Sequence, residues 1–151
     1  MNAITTEDST HMVTHPPRSV WFGRVVLAGA ALLLTRISIG YIANPVGAVA
    51  SHGIALGSAE AVTIMRVSGG VFLGIALVLV ACLASVRRLA AGLAFLATIA
   101  GTILAIRLLG LALDGPAPFT MKVLKPEIAL VVLSAAALVI ERRRLTKAEA
   151  R

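Results

Sequence analysis

The chain has 151 residues, of which 58% are hydrophobic and only 14% charged, and its formal net charge is +7. Soluble domains carry about 45–50% apolar and about 25% charged residues, so a water-exposed skin cannot be assembled from this composition, whose mean hydropathy is +0.94. A soluble globule is excluded, the bilayer is the solvent, and the length allows one compact domain.

The positive charge has a specific placement. Basic residues gather at the ends of apolar runs, as Arg87-Arg88 and Arg142-Arg143-Arg144. That pattern reads as membrane topology and contact with lipid headgroups. No basic stripe interleaved with aromatics occurs, so nucleic acid is not an expected partner. The single cysteine, Cys82, lies inside an apolar run. It rules out an intramolecular disulfide or a Cys-x-x-Cys redox pair and reads as a small buried hydrophobe.

Residues 1–19 are polar, with Thr5 to Thr10 in succession and Pro16-Pro17 near their end. They cannot bury a core and are expected to form a disordered tail. An uncharged helix needs about 20 residues to span hydrocarbon. The first span is expected over 20–42, opened by Trp21-Phe22, closed by Tyr41 and broken at Asn44-Pro45. Ala48-Val49-Ala50 before Ser51 resembles a signal-peptide cleavage site, but Arg36 within the run and the length of the run favour a retained span. The second span is expected over 61–83. The third covers 89–113 and stops at the turn signal Asp114-Gly115-Pro116. The fourth is placed at 126–140, with Pro126 in its first turn. It is short, so either Phe119–Leu124 also enters the membrane or the helix sits off-centre. Residues 142–151 form a basic tail.

The fold class expected is therefore all-α: an antiparallel four-helix membrane bundle over 20–141. Arg18, Arg24, Arg87, Arg88 and the C-terminal arginines outweigh Lys122 and Lys125 on the other side. The Lys/Arg bias places both termini in the cytoplasm.

The informative residues are the charges at membrane depth. Arg36, Arg66, Arg107 and Glu127 fall near the outer ends of the four spans, the arginines about 8–9 Å outward of mid-span; Glu60 and Asp114 lie slightly further out. Such charges are costly and are normally turned inward and paired. Arg66 shares a helical face with Gly70 and Gly74, a small-x-x-x-small close-packing signature, and Gly69, Gly92 and Gly101 are read with them as helix-contact residues. Arg107 shares one with Ile103 and Asp114, and Glu127 one with Val131 and Ser134. Three readings remain open: a structural ion-pair network that fixes register, a pocket on the outer side that binds an anionic ligand or headgroup, and arginines that snorkel without partners.

No Ser-His-Asp, Walker or metal-ligand pattern appears. His11, His15 and His52 fall outside the spans, so no haem is ligated across the bundle and no cofactor or metal is expected.

The run Arg66-Val67-Ser68-Gly69-Gly70-Val71-Phe72-Leu73-Gly74, Arg107 followed by Asp114-Gly115-Pro116, and Glu127 in the last span together resemble a bacterial membrane family, domain of unknown function 4345. The resemblance covers 29–140, and Arg66, Gly69, Gly70, Arg107, Asp114 and Glu127 are the matching positions; Arg36 is not among them. It implies a four-helix membrane bundle of the bacterial inner membrane and no established activity. The first functional expectation is a non-enzymatic accessory or assembly protein whose partners are lipids and either another membrane protein or a second copy of itself. The alternative is a binder or conduit for a small anionic ligand or lipid headgroup at the charged layer.

Overall fold

A computed structural model describes residues 18–149. The described residues form helices and no strand: α1 (Arg18–Ala43), α2 (Pro45–Ala50), α3 (Ala59–Leu83), α4 (Val86–Asp114) and α5 (Pro118–Glu149). All but α2 are long and apolar enough to cross a membrane. The protein is a multi-pass transmembrane four-helix bundle.

The first three long helices enclose the expected 20–42, 61–83 and 89–113 and extend a turn or less beyond them. The fourth differs. It begins at Pro118 rather than Pro126 and runs through the segment expected to be a basic tail as far as Glu149. Pro118 takes the first helical position, where its missing N–H costs nothing. Pro126 sits inside the helix, where it removes one backbone bond without ending the element. Beyond Ile140, arginine, leucine, lysine and glutamate are all good helix formers, so nothing stops propagation. Arg87 and Arg88 likewise belong to the first turn of α4, and the turn itself is only Ala84-Ser85. Residues 1–17, most of the expected polar tail, lie outside the described residues.

α1 is the organising element. It packs most extensively on α3, and it also touches α2, α4 and α5, while α4 lies along α5. The buried core joins Val20, Leu27, Ala30 and Ala31 of α1 to Leu79 of α3, Leu89, Leu93 and Leu96 of α4, and Ala137 of α5. Close approach there depends on Gly92: a Cβ on it would lie 2.6 Å from the Cβ of Cys82 and 3.0 Å from Leu27.

The two ends of the bundle are therefore unlike. Core residues crowd the end that holds the Ala84-Ser85 turn. At the other end α1 and α3 stay in close contact at Gly69 and are joined by the long connection 44–58, while α1, α4 and α5 leave space between them.

Candidate functional site

Two adjoining cavities lie at that second end. The deeper, of about 200 Å³, is walled by all four long helices, including Leu33 and Ile37 of α1, Phe72 of α3, Arg107 of α4, and Phe119 and Glu127 of α5. The other, a more open rim lobe of about 530 Å³, adds Arg36, Ser51 and His52. Leu33, Ile37, Tyr41, Phe119 and Val123 line both, so one wall separates and joins the lobes.

The polar feature of the deep lobe is an ion pair. Arg107 Nε donates to Glu127 Oε2 at 2.6 Å, linking α4 to α5 across the turn between them. Both side chains keep part of their surface open, 23% for Arg107 and 21% for Glu127. A charged N–H donor on a carboxylate is among the stronger hydrogen bonds. Here it sits in a wall that is otherwise aliphatic and aromatic. The Arg107 guanidinium also stands 5.7 Å from the centre of the Phe119 ring, within cation–π range.

Phe119 is positioned by the early start of α5. Its opposite neighbour comes from the connection after α1. Asn44 caps α2 by accepting from the Gly47 N–H at 2.9 Å, and Pro45 and Val49 are buried beneath it. The His52 N–H then donates to the Val49 carbonyl at 2.9 Å, which turns the chain sharply. The result stacks the His52 ring on Phe119, with centroids 4.6 Å apart and planes inclined by 33°. Tyr41 and Phe72, 6.0 Å apart, close the side where α1 meets α3.

Of the expected charged layer, the structure brings together Arg107 and Glu127. Arg36 is exposed and lines the rim lobe. Arg66 and Asp114 are exposed and make no ion pair among the described residues; they do not join a common layer. Of the expected packing glycines of α3, Gly69 packs and the Gly70–Gly74 face does not. Gly70 and Gly74 are exposed, and a Cβ on either would have nothing within 4 Å, whereas a Cβ on Gly69 would meet Ile42 at 2.9 Å, Tyr41 at 3.0 Å and the Ser38 carbonyl at 3.1 Å. One residue along a helix turns the face by about 100°, so Arg66, which shares the Gly70 side, is carried away from the bundle with it.

Two groups went unread in the sequence. His52 and Phe119 approach only through the fold of the 44–58 connection, and no local pattern announces that. At the opposite end Glu141 is buried to 1% exposure and held by both guanidinium nitrogens facing it from Arg144. A carboxylate three residues before an arginine at the close of an apolar run was a usable signal. Among the described residues no group of three or more His, Cys, Asp or Glu side chains is placed to hold a metal ion.

The sequence model of a protein family described as Domain of unknown function (DUF4345) matches residues 22–138. No curated protein matches. No solved structure matches either.

Proposed function

The chain belongs to that family of unknown function, and from this premise we propose that it is a non-catalytic binding protein of the membrane, whose two-lobed cavity takes a largely apolar small molecule. One observation carries the reading. The ion pair between α4 and α5 stands in the wall of a cavity and not in a dry helix contact. A purely structural pair gains nothing from adjoining open space, because exposure weakens it. A binding site gains an orienting polar group in an apolar pocket, the usual composition of ligand sites.

The Lys/Arg bias supports placing the cavity towards the outer face. Arg87, Arg88, Arg142, Arg143, Arg144 and Lys147 all belong to the opposite end of the chain's long helices. The family resemblance supports the bacterial inner membrane as the location.

A second reading, an assembly partner for another membrane protein or a second copy, is favoured by a different observation. Arg66, Gly70 and Gly74 lie along one exposed stripe of α3, where a Cβ on either glycine would have nothing within 4 Å among the described residues. Small residues in that pattern let helices approach closely in lipid.

Gentle extraction followed by native mass spectrometry tests the binding reading. The wild type is expected to retain a small molecule that Leu130→Trp, which fills the deep lobe, no longer holds. A protein that carries the same adducts with and without Trp at 130 would overturn it.

A further inference from the structure

Resting on the cavity reading above, we infer that the ligand is an anionic, single-chain amphiphile, with its head group held by Arg36 beside His52 at the rim and its chain laid into the deep lobe. The first reason is charge. Arg36 lines the rim lobe, is exposed, and has no carboxylate partner among the described residues. No acidic side chain lines that lobe. In the deep lobe the charge of Arg107 is already met by Glu127, so the uncompensated positive charge of the site is at the rim. Arginine's planar fork suits a phosphate or carboxylate.

The second reason is His52. Its Nδ1 is buried with no hydrogen-bond partner, while the ring rests on Phe119 at the junction of the lobes. A buried polar nitrogen without a partner is an uncompensated desolvation. Rotation of the ring towards an oxygen at the rim would satisfy it.

The third reason is shape. The deep lobe, about 200 Å³, is below the roughly 300–1,000 Å³ of pockets for drug-sized ligands. It admits one narrow chain, not the two of a phospholipid. Leu33 and Ile37 of α1 continue from rim to depth without interruption, giving such a chain an apolar track. Arg107 and Glu127 stand in the wall of the deep lobe beside that track, their charges met by each other.

The test uses the full chain in phosphatidylcholine nanodiscs, with binding measured above protein-free discs for radiolabelled dodecyl phosphate, dodecanol and inorganic phosphate. Dodecyl phosphate is expected to bind saturably at one per chain, dodecanol at least tenfold more weakly, and inorganic phosphate not at all. Arg36→Gln should lower dodecyl phosphate affinity at least tenfold and leave dodecanol unchanged, which also shows that the variant is folded. Equal binding of dodecanol and dodecyl phosphate, or an unaffected Arg36→Gln, overturns the head-group assignment while the cavity reading stands. Inorganic phosphate binding as tightly as dodecyl phosphate overturns the need for a chain. Absence of saturable binding by either amphiphile overturns the cavity reading itself.

Discussion

Arg107 and Glu127 stand 20 residues apart in sequence and 2.6 Å apart in space, joined across the turn between α4 and α5. The turn is short, Gly115 to Ala117, and Gly115 takes a φ of 82° as α4 ends. The two helices therefore leave the turn side by side, and the pair forms in the second and third helical turns from it. Each partner alone would be a stranded charge in an apolar wall.

Loss of that pairing should show as coupling. Exposures of 23% and 21% put the expected cost of Glu127→Gln at about 1–2 kcal/mol, short of the ~3–5 kcal/mol for breaking a fully buried pair. Adding Arg107→Gln should recover part of the loss. Thermal unfolding in detergent measures the cycle, and a double variant whose loss is the plain sum of the singles would refute the pairing.

Glycine positions on α3 separate in the same assay. Gly69→Leu drives a side chain into Ile42, Tyr41 and the Ser38 backbone, and overpacking of that kind costs about 1–3 kcal/mol or more. Gly70→Leu meets open space and should leave the monomer's melting temperature within a degree or two. A larger loss from Gly70→Leu than from Gly69→Leu would reverse the assignment of the packed face.

At the far end of the bundle the ion pair is asymmetric. Glu141 is almost wholly buried while Arg144 keeps 25% of its side chain exposed. Arg144→Gln strands a buried carboxylate and should cost about 2–3 kcal/mol, whereas Glu141→Gln leaves a neutral amide and should cost less. Denaturant or thermal melts of the two variants decide it; equal losses would count against the burial argument.

Topology is open to direct labelling. Cysteines placed at Ser85 and after Arg151 should react only from the cytoplasmic side, and those at Ser51 and Ala117 only from the outside, once Cys82 is replaced by serine. A C-terminal site labelled from outside would invert the orientation expected from the Lys/Arg bias.

The membrane bundle was legible from composition and run length, because hydrocarbon leaves few alternatives for a chain this apolar. Glu127 and Arg107 were legible through cost: opposite charges at one depth seek each other. Gly70, Gly74 and Arg66 were misplaced for a reason tied to lipid. In water the polar face of a helix tells which side is inward, but here both faces are apolar and the helical phase is left unmarked. Gly69 and Gly70, adjacent in sequence, could not be told apart. The start of α5 was misjudged at Pro126, because proline marks a first turn only when no earlier residue has already begun the helix. His52 and Phe119 depended on a 15-residue connection whose path no periodicity describes.

The unequal ends of the bundle divide it as a pair of tongs is divided, closed tight at one end and open at the other. Leu27, Leu79, Leu89 and Leu93 are fully enclosed near the Ala84-Ser85 turn, so that end serves as the joint. Around Phe119, Tyr41 and the 44–58 connection the jaws hold a cavity between them. The space at that end lies between α1 and α5, whose Leu33, Ile37, Phe119 and Val123 wall both lobes.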